Sequence, residues 1–253
     1  MAFLTVDFRS AVLEKACAMN VIIPEEVTAP HRVIYLLHGL SDDHSVWCRN
    51  TSIERYAAAA GFMVVMPDGG RSFYADMEHG GRYWSFVAEE LPRLTASLFH
   101  VSDLPSDTFA AGLSMGGYGA LKLGLTWPER FAAIAALSPV TSIVNKFHGF
   151  NWDREITDIF GTPKRAVASG CELSELAAAA AAASGKRLPP LFIRCGDADF
   201  LYRENLAFRE RLSAVNYPGV DFSVEPGAGH SWDFWDRRIA EALTFFNRVA
   251  PRG

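Results

Sequence analysis

Six apolar runs of strand length punctuate the chain: Val33–Leu37, Phe62–Met66, Thr108–Leu113, Phe131–Leu137, Leu191–Cys195 and Val220–Val224. Several have no polar face at all. A strand that is apolar on both sides cannot lie on a half-solvated sheet, so it must sit between two layers of helices. The stretches between the runs carry helical patterns: Ser52–Ala60 stopping at Gly61, Trp84–Phe99 with an apolar stripe, Tyr118–Leu125, Leu201–Val215 ahead of Asn216-Tyr217-Pro218, and Trp232–Val249. Strand and helix alternate, which predicts an α/β fold: a three-layer sandwich around a mostly parallel sheet. Leu4–Phe8 and Ala18–Ile23 read as an antiparallel lead-in on one sheet edge.

The rhythm breaks between Ser138 and Pro190, where the alanine run Ala177–Ala183 reads as a helix because alanine is the best helix former. With no second-domain linker or internal repeat, residues 1–253 read as one domain, and residues 138–190 as a cap-like insertion over one end of the sheet.

Immediately after the run Thr108–Leu113 stands Gly112-Leu113-Ser114-Met115-Gly116-Gly117, followed by a helix. GxSxG between a buried strand and a helix is a nucleophile elbow: it sets serine on a strained turn, and the glycines let backbones approach closely enough to expose its hydroxyl. A serine hydroxyl is a weak nucleophile at neutral pH, so it needs an imidazole base and a carboxylate to orient that base. Of the seven histidines, His38 and His44 precede the serine, and His31, His79, His100 and His148 do not follow a strand end. His230, in Gly229-His230-Ser231-Trp232, follows Val220–Val224 and is the base expected. The acid should follow Leu191–Cys195, where Gly196-Asp197-Ala198-Asp199 offers two aspartates. The Gly-x-x-Asp spacing favours Asp199, with Asp197 as the alternative. Acyl transfer also needs two N–H donors for the oxyanion. Met115, next to the nucleophile, supplies one, and Leu40, in the His38-Gly39-Leu40-Ser41 turn, is the choice for the other; Gly39 allows the close backbone approach.

Several function classes lose support. Net charge is −5 and no basic run is present, which argues against nucleic acid as a partner. No window approaches ~18 apolar residues, so no membrane span is read, and the N-terminus lacks a secretory signal pattern. The four cysteines form no CxxC pair, so zinc and redox motifs are absent and the thiols read as reduced, with a cytoplasmic location as the default. There is no GxxxxGK[ST], HExxH or GxGxxG, and no cofactor or metal is implied; Asp42-Asp43-His44 reads as a solvated loop rather than a cation site.

Together with Gly112–Gly117, the segments Leu36-Leu37-His38-Gly39-Leu40, Met66-Pro67-Asp68-Gly69-Gly70-Arg71-Ser72-Phe73-Tyr74, Gly196–Leu201 and Gly229–Trp235 resemble the esterase D / tributyrin esterase family of α/β-hydrolases, which also holds S-formylglutathione hydrolases and some feruloyl and acetylxylan esterases. The resemblance runs nearly end to end. It implies an α/β-hydrolase fold with Ser114 as nucleophile, His230 as base, Asp199 as acid, and the Leu40 and Met115 amides as oxyanion hole. It also implies cofactor-free hydrolysis of short-chain acyl esters, and a homo-oligomer is plausible on the same ground. Asp68–Asp76 is more similar to the tributyrin esterase branch, which places a formylglutathione-type thioesterase second. An acyltransferase and a ligand-binding protein without turnover are further readings. Specificity is expected from Gly39, the Phe73/Tyr74 loop, Trp232 with Trp235, and Phe147, Phe150 and Trp152 of the insertion.

Overall fold

The computed structural model of the chain describes residues 1–25, 27–147, 153–183, 185 and 187–251. Its eight strands are β1 (Ala2–Arg9), β2 (Ala16–Ile23), β3 (Val33–Leu37), β4 (Met63–Pro67), β5 (Thr108–Leu113), β6 (Ala133–Leu137), β7 (Leu191–Gly196) and β8 (Val220–Glu225). They form one sheet in the order β1-β2-β4-β3-β5-β6-β7-β8, parallel from β4 through β8, with β1 and β2 antiparallel at one edge. The helices are α1 (Val46–Asn50), α2 (Ile53–Ala60), α3 (Tyr83–Ser85), α4 (Leu91–Leu98), α5 (Met115–Thr126), α6 (Asp153–Phe160), α7 (Pro163–Ala168), α8 (Leu173–Ala182), α9 (Tyr202–Ala214) and α10 (Trp232–Val249). None of the helices among the described residues is long and apolar enough to cross a membrane.

The period of two along each strand splits the core in half. In β3, Val33, Tyr35 and Leu37 enter one hydrophobic cluster with Tyr118 and Leu121 of α5 and Leu173 of α8, while Ile34 and Leu36 enter another with Phe234, Leu243 and Phe246 of α10. Every residue of β3 is therefore buried, whereas β1 alternates half-buried and exposed, as a one-sided edge strand must. This is the three-layer α/β sandwich expected from the apolar runs, and it matches the α/β-hydrolase fold that the resemblance implies.

Two local features differ from the sequence reading. The stretch read as one helix over 84–99 is divided: a π-helical turn at Phe86–Glu90 separates α3 from α4. Pro92 is the reason. It lacks an N–H and its ring crowds the carbonyl four residues back, that of Ala88, which the widened turn frees to accept from Arg130 Nη1 at 3.4 Å. The second difference lies in the insertion. Helix α8 packs on α5 in the sheet-covering layer, so that part of 138–190 is core, and it is α6 that reaches toward the C-terminal ends of the strands.

Candidate active site

Ser114 stands between the end of β5 and the start of α5 with φ 52° and ψ −117°, a conformation that costs a non-glycine residue roughly 1–3 kcal/mol. Its neighbours explain how the turn is held. A Cβ on Gly112 would lie 2.4 Å from the Gly116 carbonyl carbon, and one on Gly116 would lie 2.2 Å from the Leu37 carbonyl oxygen. Both contacts are with backbone, which cannot move aside. The two glycines thus let α5 close against β5 and β3, leaving the Ser114 hydroxyl at the positive end of a twelve-residue helix.

The loops after β7 and β8 bring the other two groups. Gly196 is pressed against Ala228, whose carbonyl oxygen would lie 1.9 Å from an added Cβ; Ala198 N–H donates to that same carbonyl at 3.1 Å. Locked together in this way, the loops place His230 Nε2 3.1 Å from Ser114 Oγ and His230 Nδ1 2.8 Å from Asp199 Oδ2. Both candidate aspartates have a clear role. Asp197 Oδ1 accepts the Gly227 N–H at 2.7 Å and so braces the turn that leads to His230, while Asp199 faces the imidazole.

Asp199 is almost wholly buried. Burial is the largest influence on its carboxyl and pushes its pKa up, but the hydrogen bond and charge of His230, the Leu201 N–H and the Ser138 hydroxyl together hold it below the usual carboxylate value. Ser138 lies beyond the sequence motifs. It sits at the end of β6 with φ 44° and also accepts from Trp235 Nε1 at 3.3 Å, and the edge of the Trp235 ring meets the His230 ring at 4.7 Å. The Ser138 hydroxyl is thereby bonded to an aromatic wall of the base and helps keep the nearby acid ionised.

On the other side of Ser114 the backbone is fixed by neutral groups. His38 is 1% exposed; its Nδ1–H donates to the Gly39 carbonyl at 2.7 Å and its Nε2 accepts the Gly69 N–H at 2.8 Å. Burial draws its pKa below the ordinary 6.5, so this ring is neutral with the proton on Nδ1. Tyr74 Oη donates to the His38 carbonyl at 3.0 Å and Trp47 Nε1 to that of Leu37 at 3.2 Å. With the carbonyls of residues 37 to 39 engaged, the Leu40 and Met115 N–H groups are left without a protein acceptor among the described residues. Two such amides beside a serine hydroxyl are what a developing oxyanion requires.

A cleft of about 410 Å³ opens on Ser114 and His230. Gly39, Leu40, Trp232 and Trp235 line it, joined by Asp42, Arg71 and Phe200. Phe73 and Tyr74 do not line it, and the expectation that they touch substrate is corrected: both are sealed in the core, at 1% and 0% exposure. The reason is backbone geometry. Consecutive positive φ angles, 48° and 47°, turn the two side chains inward, where Phe73 meets Tyr118 and Phe160 and Tyr74 becomes the prop under the His38 carbonyl. Phe147 is half-buried against the core, and Phe150 and Trp152 lie outside the described residues. Arg71 and Phe200 had no chemical signature in sequence. Arg71 forms a two-pronged pair with Glu155 of α6 at 2.5 and 2.7 Å, with Nη1 3.4 Å from the Leu40 carbonyl, and Phe200 covers the His230 ring at 4.5 Å. Asp42 and Asp43 are used locally, accepting from the Gly39 N–H and from Ser45 respectively, and no group of three or more metal-ligating side chains occurs among the described residues.

A parallel-sheet sandwich with a serine elbow after β5, a buried aspartate after β7 and an imidazole after β8 defines a serine hydrolase of the α/β-hydrolase class. The family model described as "Putative esterase" matches residues 10–246, and the chain belongs to that family. It is 30% identical over 272 residues to an acetyl esterase of Caldicellulosiruptor saccharolyticus, covering 99% of this chain and 100% of the relative. Among solved structures it is similar to the substrate-bound fluorophosphonate-binding serine hydrolase F of Staphylococcus aureus (TM-score 0.88, 33% identity, 97% of this chain and 98% of that one). It is also similar to an S-formylglutathione hydrolase of Staphylococcus aureus (TM-score 0.86, 33% identity, the same coverage). The chain is a serine-type esterase.

Proposed function

We propose that the protein hydrolyses short-chain acyl esters, acetyl to butyryl, through an acyl-enzyme on Ser114. The observation that carries the reading is the hydrogen-bonded line from Ser114 Oγ through His230 to Asp199, 3.1 and 2.8 Å, at a strained turn on a helix N-terminus. Ser114 attacks the ester carbonyl while His230 Nε2 takes its proton; Asp199 holds the Nδ1–H tautomer and stabilises the imidazolium. The carbonyl oxygen becomes an oxyanion on the Leu40 and Met115 amides, each donor contributing about 2.7–4 kcal/mol to the barrier reduction. His230 then protonates the departing alcohol, and water repeats the sequence on the acyl-enzyme. No step calls for a cofactor.

The size of the substrate follows from the cleft. Its volume of about 410 Å³ and the walls of Leu40, Leu113, Trp232 and Trp235 suit a small apolar acyl group, and Trp232 packs edge-on against Trp47 and Trp235, which limits how far that wall can retreat. The likeness to an acetyl esterase supports the same range. A thioesterase acting on S-formylglutathione is the second reading, favoured by the likeness to the staphylococcal hydrolase named for that substrate. A panel of nitrophenyl esters from acetyl to octanoyl, a feruloyl ester and S-formylglutathione separates the two. The proposal expects the highest kcat/KM at acetyl to butyryl, and a dominant rate on the thioester would reverse the order. A cytoplasmic location belongs to the same proposal, supported by four unpaired cysteines.

A further inference from the structure

Helix α5 carries, two turns beyond the nucleophile, a lysine that the hydrolytic chemistry does not use. Lys122 is 3% exposed. Its Nζ sits 4.1 Å above the Trp84 ring, 3.5 Å from the Tyr74 carbonyl and 3.5 Å from Cys171 Sγ, and no carboxylate lies within ion-pair distance of it among the described residues. A buried ammonium without a carboxylate is costly, and the polar groups nearest Nζ are the Tyr74 carbonyl and the Cys171 sulfur. Cys171 lines a surface cleft of about 350 Å³ with Phe160, Arg165 and Ser169, and the Ser169 hydroxyl donates to Sγ at 3.4 Å. Cys171 thus combines an amine in contact with its sulfur and a place in the wall of a cleft, with Sγ also 3.9 Å from the Ser169 carbonyl, whereas Cys17 Sγ turns to the Lys15 carbonyl, Cys48 Sγ to Met66 and Cys195 Sγ to the Gly196 carbonyl, none with an amine as its hydrogen-bond partner.

We propose that Lys122 and Cys171 are an oxidative modification site, at which a small hydroperoxide entering the cleft oxidises Sγ and the Lys122 amine captures it as a covalent side-chain crosslink. In the first step Sγ attacks the peroxide, the S–O bond forms, the O–O bond breaks and water (from hydrogen peroxide) or the alcohol (from an organic hydroperoxide) leaves with the thiol proton, so that sulfur is oxidised by two electrons and the peroxide is reduced. In the second step the neutral Lys122 amine attacks that sulfur. The S–N bond forms, the S–O bond breaks, and the hydroxyl departs as water with the proton that nitrogen gives up. A thiol reductant returns the free amine and free thiol. Burial favours the second step, because it draws the Lys122 pKa below its ordinary value and enlarges the uncharged, nucleophilic fraction of the amine. The site adjoins the oxyanion loop, since the carbonyl that Nζ touches belongs to Tyr74, whose hydroxyl props the His38 carbonyl.

The test is peptide mapping by mass spectrometry of the full-length protein after treatment with hydrogen peroxide, with and without later reduction by dithiothreitol. The expected product is a linked pair of peptides joined at Lys122 and Cys171, two hydrogens lighter than their sum, which separates on reduction and does not form in Cys171→Ala. Lys122→Arg, which keeps the charge but not the nucleophilic amine, should carry oxidised Cys171 without the link. If that buried variant does not fold, the wild-type maps decide alone. Cys171 left as free thiol, or converted to sulfinic acid with no linked peptide, overturns the proposal.

Discussion

The two flanks of Ser114 are built on different physical principles. The acid–base flank is made of side chains that carry or acquire charge: Asp199 and His230 are held by loops that clamp at Gly196 and Ala228, and Ser138 steadies the buried carboxylate. The proposed oxyanion flank is made of backbone: Leu37, His38 and Gly39 have their carbonyls occupied by Trp47, Tyr74 and a His38 ring that burial keeps neutral. The comparison teaches a division of labour. In the proposed mechanism charge is moved on one side, where a wrong tautomer is ruinous, and received on the other, where aligned dipoles need only stay still. Substitutions on the first flank should therefore act through the chemistry, and those on the second through geometry and stability.

The sharpest contrast lies within one loop. Asp199→Asn should lower kcat by about 10⁴-fold because the amide no longer enforces the Nδ1–H tautomer. Asp197→Asn keeps an oxygen for the Gly227 N–H and should stay within about tenfold of wild type, since it loses only part of a structural hydrogen bond of ~1 kcal/mol; steady-state kinetics on both variants checks the pair. Equal losses would erase the distinction between orienting acid and loop brace. Next in size is Tyr74→Phe. It leaves the buried His38 carbonyl without its partner at a cost of about 1–3 kcal/mol, and should lower both the melting temperature and kcat with little change in KM. Unchanged kcat beside a lowered melting temperature would mean that the prop does not reach the oxyanion loop.

A smaller effect follows from His38. Its folded pKa lies below 6.5, so as pH falls through that value the unfolded chain gains a proton that the folded chain refuses, and stability is lost toward acid. The melting temperature should thus decline below pH 6.5, and the decline should be shallower in His38→Gln. Smallest of all is Arg71→Ala. The guanidinium is half exposed, so its pair with Glu155 should contribute no more than ~1 kcal/mol to stability. Thermal denaturation should barely register its loss, while KM reports whether the rim of the cleft shifts.

What could be read from sequence was what local rules dictate. The strand–GxSxG–helix junction declared Ser114, and Gly196-Asp197-Ala198-Asp199 and Gly229-His230 declared themselves by following apolar runs, because a parallel sheet delivers strand ends to one rim whatever the intervening chain does. The whole of α10, Trp232–Val249, was legible from its periodicity. Residues whose role depends on long-range packing were not. Phe73 and Tyr74 looked like pocket aromatics because nothing local signals two consecutive positive φ angles. Ser138, Arg71 and Phe200 act on the site through partners 61, 84 and 30 positions away, and no local pattern marks a serine, arginine or phenylalanine for such a task. The π turn before Pro92 was hidden for the opposite reason: the proline was visible, but the third element that absorbs its free carbonyl, Arg130, was not.

The central claim is that Ser114 is the hydroxyl that becomes acylated, and reaction with a fluorophosphonate probe reads it directly. Peptide mapping of the labelled protein should place the adduct on Ser114 alone, with labelling abolished in Ser114→Ala and greatly slowed in His230→Ala, in step with hydrolysis of nitrophenyl acetate. An adduct on another residue, or a Ser114→Ala protein that still hydrolyses the ester at the wild-type rate, would contradict the account.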